Sequence, residues 1–226
     1  MKKIIISLSF LFIAQLAHTQ KTETRTFNDI KKLSIFGKTY VAELIKADTN
    51  KIVITSQDLT MDKILTTESN GELKITVKGI TTGNVSCKIY CKTLPSVIDI
   101  NNGALIKSTE NLTIDNIELI TNTDGYLHLM LISKNIKASS FTGGDMTLEG
   151  TTQNLIASSN SNGTVRVEMM TIDSANVKAI GGAEIHLWAK NSIVCSTATN
   201  GKVHIYKPYP ANIKETNESG GVLIKE

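Results

Sequence analysis

The chain has 226 residues, 41% of them hydrophobic but only 5% aromatic, which is enough for a sizeable core built from small branched aliphatics. Its 24 basic and 21 acidic residues give a formal charge of +3, a balance that leaves no electrostatic case for nucleic acid or an anionic membrane surface as partner. Beyond the N-terminus no long stretch carries helical i, i+3, i+4 apolar spacing, and Thr, Ser, Asn, Ile and Val dominate, so the chain reads as all-β.

Lys2 and Lys3 precede an apolar run from Ile4 to Leu16, and Ala17-His-Thr19 sets small residues three and one before a cut ahead of Gln20. This is the form of a secretory signal peptide, and the run falls short of the ~20 residues a membrane span needs. Residues 1–19 are predicted to be removed and residues 20–226 exported, to the periplasm, the outer membrane or the outside of the cell. No cysteine follows the cut to carry a lipid. Without Lys2 and Lys3 the chain keeps 22 basic against 21 acidic residues, a net charge of +1.

From residue 22 to 102 the spacing predicts short strands at Lys32 to Phe36, Tyr40 to Ile45, Ile52 to Thr55, Glu72 to Val77 and Asn84 to Lys92. Asn70-Gly71 is a hairpin signal. These strands are expected to form an antiparallel or irregular start that closes one end of the molecule, where an open stack would leave unpaired edge groups; a two-lobed arrangement dividing near Asn101 is the alternative. Cys87 and Cys91 fall on one face of one strand, roughly 13 Å apart, too far to bond to each other. They are read as buried thiols, as small hydrophobes, and a pairing of Cys195 with either is left open. No histidine or second cysteine pair completes a zinc spacing around them.

Residues 103–226 repeat. Gly125, Gly144, Gly163, Gly182 and Gly201 recur at a constant interval of about 19 residues, each followed by a short apolar-polar-apolar strand, and a unit this short predicts stacked coils. Side chains alternate across a strand. Leu127, Met146, Val165, Ile185 and Val203 therefore form one inward column, and Leu129, Leu148, Val167, Leu187 and Ile205 a second. Outward between them run His128, Thr147, Arg166, His186 and His204, with Met130, Glu149, Glu168, Trp188 and Tyr206 alongside. A second strand per coil is visible in Asn135 to Ala138, Asn154 to Ala157 and Asn176 to Ala179, with tight bends at the Gly and Asn pairs. The alignment places a register step at Gly181-Gly182. The predicted fold is a right-handed, single-stranded β-solenoid of about 19 residues per coil, capped at one end by the N-terminal strands.

Glu149 and Glu168 are predicted neighbours on successive turns, with Arg166 two residues from Glu168. Paired carboxylates are what a polysaccharide-cleaving β-helix would need, but they are read here as a solvated face with an Arg/Glu pair. No nucleophile elbow, HExxH, Walker loop or dinucleotide fingerprint is present. His186 and His204 are predicted to stack about 5 Å apart on adjoining coils; with no third ligand apparent they are read as exposed ladder histidines, and neither a metal nor a cofactor is expected. Trp188, the only tryptophan, is predicted beside Tyr206, with His186 and His204 next to them and Tyr209 on the following bend. Aromatics on a rigid sheet suit sugar rings or a protein partner; the alternative is that the segment after Pro208 covers them. Asp173-Ser-Ala175 resembles a bacterial O-glycosylation acceptor, which would place a glycan on Ser174.

The opening Arg25-Thr-Phe-Asn-Asp-Ile30 with Leu33-Ser-Ile35, the segment Gly71-Glu-Leu-Lys-Ile-Thr-Val77, the phrase Leu94-Pro-Ser-Val-Ile98 and the Gly-centred repeats together resemble the DUF2807 family, auto-transporter adhesin-like proteins with a head GIN domain, common in Bacteroidetes. The resemblance covers essentially the whole predicted mature chain. It implies a β-solenoid of the envelope or cell exterior with an adhesive role, and the chain is expected to work without catalysis by binding a glycan or an envelope or cell-surface protein. A polysaccharide-active lyase or hydrolase and a purely structural envelope protein are the other functions this fold would allow.

Overall fold

The computed structural model describes residues 21–37, 40–56, 61–78 and 85–226; the predicted leader, residues 1–19, lies outside them. Among the described residues, twenty strands follow one another: β1 (Lys21–Thr26), β2 (Lys32–Phe36), β3 (Tyr40–Lys46), β4 (Lys51–Ser56), β5 (Ile64–Ser69), β6 (Glu72–Val77), β7 (Val85–Cys91), β8 (Val97–Asn101), β9 (Leu105–Lys107), β10 (Leu112–Thr113), β11 (Asn116–Asn122), β12 (Tyr126–Phe141), β13 (Asp145–Asn160), β14 (Thr164–Arg166), β15 (Met170–Ile180), β16 (Glu184–Leu187), β17 (Ser192–Ala198), β18 (Lys202–Ile205), β19 (Asn212–Glu218) and β20 (Val222–Lys225).

From β8 onward these strands wind into a β-solenoid with two main parallel faces. On one face β8, β11, the second halves of β12 and β13, β15, β17 and β19 stack in that order. On the other, β9, the first halves of β12 and β13, β14, β16, β18 and β20 do the same. All ten residues of the two predicted inward columns, from Leu127 and Leu129 to Val203 and Ile205, have no solvent exposure. The opposite face meets them with Ile98, Leu119, Ala138, Ala157, Val177 and Cys195, each on the rung after the last and all buried. Burying each large aliphatic contributes about 1.5–3 kcal/mol, and each is repeated on the next rung, so the core is continuous along the stack.

The corner that ends each coil follows a rule that a search for glycines alone does not reveal. Its first two residues take positive φ in every coil: Asn102-Gly103, Thr123-Asp124, Thr142-Gly143, Ser161-Asn162, Gly181-Gly182, Thr199-Asn200 and Ser219-Gly220. In the second position Gly and Asx alternate strictly. The side-chain oxygens of Asp124, Asn162 and Asn200 lie 2.7, 2.6 and 2.8 Å from where a Cβ would stand on Gly143, Gly182 and Gly220 of the next coil, so the larger residue of one corner leans into the space left by the smaller one above it. The third position packs directly on the preceding coil's backbone: a Cβ on Gly201 would lie 2.2 Å from the Ala179 carbonyl oxygen. Ala183 holds that third position in its coil, and Gly182 belongs to the second, which corrects its assignment to the Gly125 column.

The register step is also displaced. Thr147 pairs with Arg166 at the regular interval, but Gly150 pairs with Met170, one position beyond it. The added residue therefore sits in the turn at Glu168-Met169 and not at Gly181-Gly182. The next coil is two residues shorter, with Leu187 opposite Ile205 and Ser174 opposite Ser192; the shortening falls between Leu187 and Ser192.

The N-terminal strands close one end, as expected, by a route the spacing does not disclose. β2 lies between β6 and β8, and β3 between β7 and β9, all parallel. The first coil to be made is thus the second in the stack. β5 then adds antiparallel to β6 through the Asn70-Gly71 hairpin, while β4 adds antiparallel to β7 and β1 antiparallel to β4. Arg25 on β1 reaches across the end to β5, donating to the Ile64 carbonyl at 2.5 Å and to Thr66 Oγ1 at 3.2 Å, and so joins the edges of the two faces. Cys87, Cys91 and Cys195 are all free and buried, so Cys195 pairs with neither.

Candidate functional site

In two late coils the strand opens with an acidic or basic residue followed two positions later by a histidine on the same outward face. β16 reads Glu184-Ile-His186-Leu187 and β18 reads Lys202-Val-His204-Ile205, with Glu184 opposite Lys202 and His186 opposite His204. Parallel in-register pairing brings identical side chains into a ladder. The two imidazoles stack with centroids 4.3 Å apart and planes 7° from parallel, slightly closer than the bare strand spacing.

Each ring is held at one nitrogen. His186 Nδ1 lies 3.1 Å from the Tyr206 hydroxyl, and His204 Nδ1 lies 3.0 Å from Glu226 Oε1. Glu184 divides its carboxylate, Oε1 accepting from Lys202 Nζ at 3.0 Å and Oε2 standing 3.5 Å from His186 Nε2. The Lys202 hydrogen bond holds the Glu184 carboxyl below its ordinary pKa, against a smaller opposing effect of burial. Burial lowers the pKa of His186, and repulsion from His204 lowers it further, favouring the neutral ring. The histidines are less open than an exposed ladder implies: their side chains keep only 15% and 14% of their surface.

Trp188 and Tyr206 follow the last paired rung, Leu187 opposite Ile205, and both are half-buried. Tyr206 lies against His186, centroids 6.2 Å apart; among the described residues no ring contact joins it to Trp188. The expected aromatic pair is thus a His186–His204–Tyr206 cluster with Trp188 beside the bend. Tyr209 is exposed, its hydroxyl donating to the Glu226 carbonyl at 2.6 Å and its ring between Lys207 and Lys225, each ammonium 5.9 Å from the centroid. The C-terminal strand therefore borders this cluster and covers part of it.

Two acidic residues farther up the ladder, Glu149 and Asp145, are already matched. His128 Nε2 lies 2.7 Å from Glu149 Oε1, and Arg166 bonds both oxygens of Asp145 at 2.5 and 2.7 Å. Arg166 thus pairs with Asp145 and not with Glu168, because the turn at Glu168-Met169 takes Glu168 out of register; Glu149 and Glu168 are not ladder partners for the same reason. Ser174 sits in β15, paired on both sides, its hydroxyl accepting from Ser192 Oγ at 3.1 Å. Glu184 escapes the reading from sequence, although Glu-x-His at the start of a ladder strand is the signal that finds it.

Residues 29–208 match the model of the family described as "Putative auto-transporter adhesin, head GIN domain", DUF2807. Among solved structures, the chain is similar to a putative adhesin from Bacteroides fragilis NCTC 9343, 15% identical, with a TM-score of 0.78 over 92% of this chain and 97% of that one. It is similar also to a putative adhesin from Parabacteroides merdae ATCC 43184, 14% identical, TM-score 0.67, covering 92% and 96%. A putative lipid binding protein from Parabacteroides distasonis ATCC 8503 shares the fold at 15% identity and a TM-score of 0.69, again over 92% and 96%. At such identities the likeness is one of fold. No curated protein matches the chain, and among the described residues no helix is long and apolar enough to cross a membrane.

Proposed function

The chain belongs to the DUF2807 family, and from that premise we propose that it is an exported, non-enzymatic binding protein of the cell envelope that engages a glycan or a protein partner through an outward face of the solenoid. The observation that carries this reading is the state of the ladder carboxylates. Glu149, Asp145 and Glu184 each contact a basic or imidazole group on the neighbouring rung, whereas glycoside hydrolysis calls for two carboxylates facing each other across a substrate. Such a face offers rigid contact area and few side chains to freeze, which favours recognition. Within it, the cluster of His186, Trp188, His204 and Tyr206, with exposed Tyr209 at its border, is the binding surface we assign.

The test is a glycan array together with capture from an envelope extract, using the mature chain and its Trp188→Ala variant. Binding that falls at least tenfold in the variant, with an unchanged circular dichroism spectrum and melting temperature, supports the reading. A Trp188→Ala chain that unfolds would make Trp188 a packing residue and remove it from the surface; depolymerisation of any bound polysaccharide would overturn the non-enzymatic assignment. Cleavage of the protein by external protease on whole cells distinguishes surface display from a periplasmic location.

A further inference from the structure

Two stacked imidazoles, each held at Nδ1, stand beside a carboxylate. On His204 the Glu226 carboxylate takes Nδ1–H and so fixes the tautomer with the lone pair on Nε2, and that Nε2 is buried and has no hydrogen-bond partner. A tyrosine hydroxyl donates or accepts, so the Tyr206 contact at Nδ1 leaves both tautomers of His186 open, and zinc takes the one with the lone pair on Nε2, which stands 3.5 Å from Glu184 Oε2. One ligand atom from each of Glu184, His186 and His204 lies within 4.8 Å of the other two.

We propose that Glu184, His186 and His204 form a binding site for a single zinc ion. Two imidazoles and a carboxylate are a zinc donor set, tetrahedral with the fourth position left to water or to a group on a partner. Nitrogens bound to one tetrahedral zinc sit roughly 3.3 Å apart; the ligand atoms here lie within 4.8 Å of one another, so the two nearly parallel rings, 7° apart, tilt toward each other to aim both lone pairs at one ion. The surroundings are those of a metal centre. A carboxylate and a phenol orient the two rings from behind, and Lys202 steadies the carboxylate through its other oxygen, leaving Oε2 for the ion. The buried Oε2 of Glu168, which has no hydrogen-bond partner, lends negative charge to the same region. His128 supplies an internal contrast: its rung neighbours are Lys107 and Thr147, so with Glu149 it offers two ligands and no second imidazole.

Zinc binding requires no other partner, so the metal alone is the probe and its outcome is separate from that of the adhesion test. Isothermal titration of zinc chloride into the untagged, chelator-stripped mature chain is expected to show one ion per chain. Glu226→Gln, which alters only the support of His204, should weaken binding about 10–100-fold, and Glu184→Gln and His204→Ala at least as much. His128→Ala should leave affinity unchanged. Zinc should raise the melting temperature of the wild type by mass action and not that of Glu184→Gln, whose spectrum without metal checks that it is folded. No saturable binding, wild-type affinity in both Glu184→Gln and His204→Ala, or loss of binding in His128→Ala would each overturn the proposal.

Discussion

The two ends of the solenoid solve the same problem differently. At the N-terminal end, β1 and β5 lie antiparallel across the outer strands and Arg25 fastens one to the other. At the C-terminal end β19 and β20 are each paired on one side only among the described residues, and β19 presents Lys214, Glu215 and Glu218, all exposed. Charged side chains on an unpaired edge discourage another strand from adding. One end is therefore closed by hydrogen bonding and the other by electrostatics. The pairings differ in kind as well. In the late coils each strand pairs with its counterpart a single repeat away, whereas Lys32 pairs with Glu72 and with Val97, so the capped end closes long loops and the regular end short ones.

If the regular coils depend on every rung, a single strained corner should break them. Gly150 in β13 has φ +106°, and a Cβ there would stand 2.1 Å from the Leu131 carbonyl oxygen. Backbone strain and a clash with main chain that cannot move aside combine, so Gly150→Ala is expected to cost about 3 kcal/mol or more, read as the shift in a urea unfolding curve. A loss under about 1 kcal/mol would mean that neighbouring rungs yield readily and that the coils are less coupled than their continuous core implies.

The capped end should respond locally. Arg25 donates to Ile64 O, Thr66 Oγ1 and Met61 O, besides its pair with Glu23. Charged hydrogen bonds of this kind contribute about 1.5–3 kcal/mol when lost. Arg25→Ala should therefore accelerate amide exchange in β1 and β5 while β15 and β17 keep their protection. Equal acceleration throughout would show that the cap governs the whole stack.

What could be read in advance follows from the same contrast. Period-two alternation that returns in every coil leaves a local trace, and Leu127, Leu148 and Ile205 are assigned to the core from it. The placement of β2 between β6 and β8 leaves none, because Lys32 finds its partners Glu72 and Val97 at separations that the regular coils never use. Spacing puts the step at Gly181-Gly182 and not at Glu168-Met169 because glycines mark corners, whereas the turn that varies in length has no fixed residue. Trp188 and Tyr206 become a pair only when the ladder is extrapolated past its last rung, Leu187 opposite Ile205. The stacking of His186 on His204 lies within the ladder and is legible; Glu184 is equally so once the residue that opens each strand is considered.

A corner substitution should improve the regular end slightly. Thr142 takes φ +49°, a conformation that a β-branched residue adopts only under strain, while Asn takes a comparable φ in the Asn102 corner. Thr142→Asn is expected to stabilise the chain by about 1 kcal/mol, measured by the same unfolding curve. A loss would mean that the threonine methyl packs usefully against the neighbouring coil.

The smallest effect is one of reactivity, and it separates the two ends most finely. Burial pushes the thiols of Cys87 and Cys91 up to about 12 and that of Cys195 to about 11. A folded-state pKa raised above the unfolded value of 9.0 means that the native chain retains protons the unfolded chain gives up, so this contribution to stability is whole below about pH 9 and declines as pH rises beyond it. At pH 8 the thiols are protonated as well as buried, and iodoacetamide should label none of them until the chain opens. Cys195 lies one rung from the last strand of its face, and its thiol donates to the Lys214 carbonyl of that strand, β19, whereas Cys87 and Cys91 lie on β7, between β3 and β4. Under mild denaturant, mass spectrometry should find Cys195 labelled first. Labelling of Cys87 before Cys195 would reverse the order of stability and make the charged edge, not the hydrogen-bonded cap, the firmer closure.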